Sequence, residues 1–72
     1  MERIGRSRVL PAPAERRRLR VTLGIQQQEL AKELLVSVQT IWAWEQGRSE
    51  PTGVNRERYA AVLTQMQQLL DH

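Results

Sequence analysis

No cysteine occurs in this chain, and its one histidine is the terminal His72. The first absence excludes disulfides and thiolate metal sites. The second leaves no internal imidazole for catalysis or metal ligation. Aspartate is confined to Asp71, so no catalytic constellation can be assembled, and neither enzymatic activity nor a cofactor or metal is expected. The longest apolar run, Tyr59 to Leu63, is far too short to cross a bilayer. The basic N-terminal stretch lacks the apolar segment of a signal peptide. These absences lead to the expectation of a soluble, cytoplasmic protein with no membrane partner and no small-molecule ligand.

Aromatic residues are also scarce: Trp42, Trp44 and Tyr59. A chain of 72 residues makes one small domain and buries only about 60% of its unfolded surface, so its core is modest. The net charge of +3 is unevenly placed. Residues 1–20 hold seven arginines against Glu2 and Glu15, whereas residues 21–72 are net acidic. A positive end favours polyanions, either nucleic acid or an acidic membrane surface; a solvated tail is the plainer alternative.

Residues 1–12 show no periodicity and read as a flexible basic arm, followed by one domain over residues 13–72. Proline suits the first turn of a helix, so helix 1 is expected over about 13–23, with Gly24 as its stop. Helix 2 covers about 27–34, where Leu30, Ala31 and Leu34 share a face and Ala31 permits a close helix crossing. Ser37 is a suitable N-cap for helix 3 over about 38–46, which ends at Gly47. Arg48 to Gly53 is a loop. Helix 4 follows over about 55–70, with an apolar stripe through Tyr59, Val62, Leu63, Met66, Leu69 and Leu70. No strand signal competes, so the fold class is all-α with four helices, or five.

The two tryptophans stand two positions apart, about 200° around a helix, so only one can face the core. Stepping about 100° per residue from Ile41 sends Trp44 inward with it. Gln39, Ala43 and Gln46 fall on the far side, flanked by Trp42 and Val38. That outer face carries no charged residue. Amides, a small methyl and an aromatic suit base edges in a major groove, where glutamine can bond adenine and apolar groups can touch a thymine methyl. A face buried against a partner protein would share this composition.

Two short helices joined by Leu35-Val36-Ser37, with Ala31 at the crossing and Ile41 inside, form a helix-turn-helix. The stretch from Gly24 to Gly47 resembles the DNA-binding domain of the Cro and phage-repressor (XRE-type) family. The shared marks are Gln27, Glu29-Leu30-Ala31, Val36-Ser37, Thr40-Ile41, Trp44-Glu45 and Gly47, with Arg48 and Pro51 beyond. The resemblance extends over about residues 14–63 and implies a small lambda-repressor-like domain. Three positions depart from the family pattern. Leu35 replaces a turn glycine, so either it is left-handed at a cost of roughly 1 kcal/mol or the turn differs. Gln26 stands where a better N-cap is common, and Trp42 where a small residue is usual.

The resemblance implies a sequence-specific, double-stranded DNA-binding regulator, of Cro or immunity-repressor type, that is cytoplasmic, nucleoid-associated and bacterial or phage-encoded. The base-reading face would comprise Ser37, Val38, Gln39, Trp42, Ala43 and Gln46. Gln26, Gln27 and Arg48 would hold phosphates. Arg20 would pair with Glu45, and helix physics gives the same expectation, because a carboxylate at a helix C-terminus needs a cation. One arginine of Arg16-Arg17-Arg18 would reach DNA, and Arg3, Arg6 and Arg8 could follow the backbone or enter the minor groove. Modules this small read few base pairs and usually act as two-fold homodimers on palindromic sites. Met66, Leu69 and Leu70 are the candidate dimer contact. The alternative is an antitoxin or adaptor that uses the same fold chiefly to bind protein.

Overall fold

The structure, a computed structural model, describes residues 10–71. Residues 1–9 and His72 lie outside the described residues, and with them Arg3, Arg6 and Arg8 of the expected arm. Leu10 and Pro11, expected as the end of that arm, are tied to the domain. Leu10 packs against the core, and the Pro11 carbonyl accepts a bond of 2.8 Å from Arg16 Nε.

Four helices follow in order: α1 Pro13–Thr22, α2 Gln27–Leu34, α3 Val38–Gln46 and α4 Gly53–Leu70. No strand occurs among the described residues. Proline at the first position starts α1. The helix closes when the N–H of Gly24 reaches the Val21 carbonyl and that of Ile25 the Arg20 carbonyl, a paired closure that needs the left-handed φ of +72° at Gly24. At the start of α2, the Glu29 carboxylate accepts from the Gln26 N–H at 2.8 Å. This satisfies a donor at the position where Gln26 departs from better-capping residues.

Leu35 ends α2 in the left-handed region, at φ 59° and ψ 41°. The glycine-type turn is therefore kept with a leucine in it. Val36 N–H still bonds the Ala31 carbonyl at 3.0 Å, so the chain reverses sharply into α3. Ser37 caps that helix as its hydroxyl accepts from Thr40 N–H at 3.1 Å. The last helix starts two residues earlier than its apolar stripe suggests. Gly53 has φ +57° and so allows the chain to enter α4 directly from Thr52, a turn that an apolar pattern does not record.

All four helices contribute to the core: Leu19 from α1; Leu30, Ala31 and Leu34 from α2; Ile41 and Trp44 from α3; Tyr59, Leu63 and Met66 from α4. Trp44 and Tyr59 sit at its centre with ring centroids 4.8 Å apart and planes tilted by 32°, a favourable offset contact. Met66, expected at a dimer contact, is spent here and is 3% exposed. Leu70 packs against the edge of the same core, while Leu69 is 64% exposed.

Candidate nucleic-acid interface

The packing of α3 decides which residues a partner can meet. Ile41 and Trp44 are buried, and Glu45 beside them is buried as a charge. The opposite side is open: Ser37, Val38, Gln39, Trp42 and Gln46 are exposed and Ala43 is half-buried. The structure thus gathers the six residues expected to read bases along the outer side of one helix. Trp42, at 44% exposed, is the accessible tryptophan, and Trp44, at 3%, is the core one.

The orientation of α3 is fixed at its C-terminal end by a buried polar cluster. Glu45 accepts from Arg20 Nε at 2.7 Å and Nη2 at 3.0 Å. The remaining Arg20 nitrogen, Nη1, donates to the Ile25 carbonyl at 2.8 Å. Gln27 Nε2 donates to the same carboxylate at 3.2 Å. One carboxylate therefore joins the end of α1, the start of α2 and the end of α3, and every charge in the pair finds hydrogen bonds, as a buried pair requires.

Gln27, expected to hold a phosphate, thus uses one amide N–H within the protein. Its amide retains a second N–H, and it stands in the first turn of α2, where backbone N–H groups lack intrahelical acceptors. Gln26 precedes it and is exposed. Arg48 lies just beyond α3, where Gly47 is left-handed and the Arg48 N–H bonds the Ala43 carbonyl at 3.0 Å.

A shallow cleft of about 590 Å³ separates the start of α2 from the outer side of α3. Gln26, Gln27 and Gln28 line one wall, Val38, Trp42 and Gln46 the other, and Arg17 and Arg20 the α1 side. Gln28 is no candidate in the sequence, and Arg17 is one only as a member of Arg16-Arg17-Arg18. The available signal was spacing: Arg17 lies one helical turn before Arg20, on the side of α1 that meets α2 and α3. No carboxylate among the described residues pairs with Arg17.

Arg16, in contrast, belongs to the interior. Its Nη1 donates to the Trp44 carbonyl at 3.0 Å and its Nη2 to Glu50 Oε1 at 2.9 Å. Its guanidinium carbon also lies 5.9 Å from the centre of the Tyr59 ring. No group of three or more potential metal ligands occurs among the described residues, and no described helix is long and apolar enough to cross a membrane.

Comparison with known proteins agrees with this geometry. A family model described as helix-turn-helix matches residues 17–63, which includes α2, α3, the turn between them and most of α1. No curated protein and no solved structure matches the chain. The matched segment contains the buried Arg20–Glu45 pair, the Ser37 cap and core residues from all four helices. The chain belongs to the XRE-type helix-turn-helix family, and its fold is the small lambda-repressor-like DNA-binding domain of that family.

Proposed function

We propose that this protein is a sequence-specific transcriptional repressor of Cro or immunity type, which inserts α3 into the major groove of a palindromic operator as a homodimer. One observation carries the reading. The exposed side of α3 presents Gln39, Ala43 and Gln46 with no ionic group, while the opposite side is anchored by Ile41, Trp44 and the Glu45 pair. A rigid helix with an uncharged, amide-bearing outer face suits direct reading of base edges. Gln39 is the principal reader, with Ser37, Val38 and Ala43 in apolar or short polar contacts. Arg48, Arg17 and the start of α2 with Gln26 and Gln27 hold the phosphates on either side.

The homodimer uses the exposed end of α4. Leu69 is central to it, because it lines a mostly apolar groove with Ile25, Leu30, Val62 and Met66, rimmed by Glu29, Glu33 and Gln65. Met66 supports that contact from below, and Leu70 from its edge. An operator with two half-sites about one helical turn apart follows from this symmetry.

Selection of bound fragments from a random DNA pool returns the site, its symmetry and its spacing together. With that site, Gln39→Ala is expected to relax preference at one base pair at a cost of about 1–3 kcal/mol. Arg48→Ala weakens specific and non-specific duplexes alike and reduces the salt dependence. If neither substitution changes DNA binding, the recognition-helix assignment fails. A protein that sediments as a monomer at micromolar concentration, with and without its site, disproves the homodimer.

A further inference from the structure

Trp42 and Arg48 lie six positions apart, one on the exposed side of α3 and one past its end. The left-handed Gly47 folds the chain back, and the Arg48 guanidinium carbon comes to rest 5.4 Å from the centre of the Trp42 ring. That is cation–π range, and tryptophan is the strongest partner for it. Three other arginines are neutralised: Arg16 bonds Glu50, Arg18 bonds Glu15 and Arg20 bonds Glu45. No carboxylate among the described residues pairs with Arg48. Its charge is therefore held in place without being cancelled.

The Arg48 guanidinium donates no hydrogen bond to any of the described residues, so its N–H groups stay available. A guanidinium stacked on a ring uses its flat face, and its N–H donors point outward in the plane of the group. Those edge donors make bidentate bonds to phosphate. An arginine that sweeps freely loses rotamer freedom when a phosphate captures it, whereas one already held over an indole has lost part of it beforehand. Trp42 is also placed for this task. Its ring borders the cleft facing the start of α2, toward the side where a DNA backbone would pass, instead of the centre of the amide face.

We propose that Trp42 is a positioning residue that orients Arg48 toward a DNA phosphate, and is not itself a reader of bases. The proposal rests on the DNA-binding reading above and revises the role of one residue in it.

The test compares Trp42→Ala, Trp42→Phe, Arg48→Ala and the double variant Trp42→Ala/Arg48→Ala, each first shown to keep its circular dichroism and melting temperature. Each is titrated with a mixed-sequence duplex and with the fragment selected from the random pool. Trp42→Ala is expected to weaken both duplexes about two- to five-fold, with base preference unchanged. Trp42→Phe retains most of the affinity, and the double variant binds like Arg48→Ala alone, since the two residues act as one unit.

Losses that multiply in the double variant, or a changed base preference in Trp42→Ala, overturn the positioning role and leave the DNA reading intact. Failure of the unaltered chain to bind either duplex overturns both. The free protein gives a separate readout. The Arg48 Nε–H proton should resonate upfield from the ring current in the unaltered chain and lose that shift in Trp42→Ala; a proton with no such shift in the unaltered chain also overturns the proposal.

Discussion

Arg20 and Glu45 meet inside the protein in a bidentate pair, with N–O distances of 2.7 and 3.0 Å. The Glu45 side chain has no solvent exposure, and Arg20 retains little. Removing one partner of such a pair leaves an uncompensated charge and costs about 3–5 kcal/mol. Small domains have little more stability than that in total. Glu45→Ala and Arg20→Ala are each expected to leave a largely unfolded chain in urea titrations followed by circular dichroism. The paired replacement Arg20→Met/Glu45→Leu removes both charges and should be more stable than either single variant. Single variants within about 1 kcal/mol of the unaltered protein would show that the pair is not a structural anchor.

Leu35 and Gly47 end consecutive helices in the same left-handed conformation, at φ 59° and 75°. A side chain there costs roughly 1 kcal/mol through the close approach of Cβ to the backbone. Leu35 is 75% exposed, so truncating it sacrifices little burial. Leu35→Gly is therefore expected to raise stability by no more than about 0.5 kcal/mol, after the greater unfolded-state freedom of glycine is deducted. Gly47→Ala should act in the opposite direction. Its added Cβ would stand 3.3 Å from Pro13 Cγ as well as carrying the left-handed strain. Thermal melts of the two variants would shift in opposite directions; equal shifts would refute the strain assignment.

The same residues show how much was legible beforehand. Gly24, Ser37 and Gly47 mark helix ends through local chemistry, and the inward direction of Trp44 follows from helical steps within one element. Arg20 and Glu45 were legible because a carboxylate at a helix C-terminus demands a cation. Arg16 was not: its acceptors on Trp44 and Glu50 lie 28 and 34 residues away, and nothing local distinguishes it from its basic neighbours. The burial of Met66 in the monomer core is not legible for a related reason. A helical stripe shows that a residue is apolar on one side, but whether the domain's own helices reach far enough to cover it depends on their packing. At Leu35 the sequence admits both a strained left-handed residue and a different turn, and the backbone φ of 59° decides for the first.

Tyr59 is fully buried, and its hydroxyl meets no protein partner among the described residues. Burial, aided by the nearby Glu45 charge and opposed by Arg16 and Arg20, pushes its pKa up from the ordinary 10.0 to about 12. The folded state thus holds this proton more tightly than the unfolded chain does. The resulting stability is complete below about pH 10 and is lost progressively as pH rises toward 12. Tyr59→Phe removes a hydroxyl without removing a hydrogen bond and retains the ring against Trp44. It is expected to cost little at neutral pH and to flatten the alkaline loss. Urea midpoints measured across the alkaline range for both proteins check this; parallel curves would show that another group controls the alkaline limit.

Three consecutive arginines should give three different outcomes. Arg16 is 4% exposed and ties Pro11, the end of α3 and Glu50 together. Arg16→Ala leaves the buried Trp44 carbonyl without its donor, so a loss of about 2–3 kcal/mol is expected. Arg16→Lys should recover only part of this, because a single ammonium lacks the planar set of donors that spans all three acceptors. Arg18 is exposed and bonded to Glu15, and that bond holds the Glu15 carboxyl below the usual carboxylate range. Solvent screens such a pair, so Arg18→Ala should change neither folding nor DNA binding measurably. Arg17 is exposed at the cleft beside the start of α2. Arg17→Ala should leave urea stability unchanged, weaken every duplex to a similar degree and reduce the salt slope by about one. The separation is set by helix geometry, since steps of about 100° send adjacent side chains to the interior, the cleft and the solvent in turn. If Arg17→Ala and Arg18→Ala weakened DNA binding equally, the cleft would not single out the arginine that meets phosphate, and the role given to Arg17 would fail.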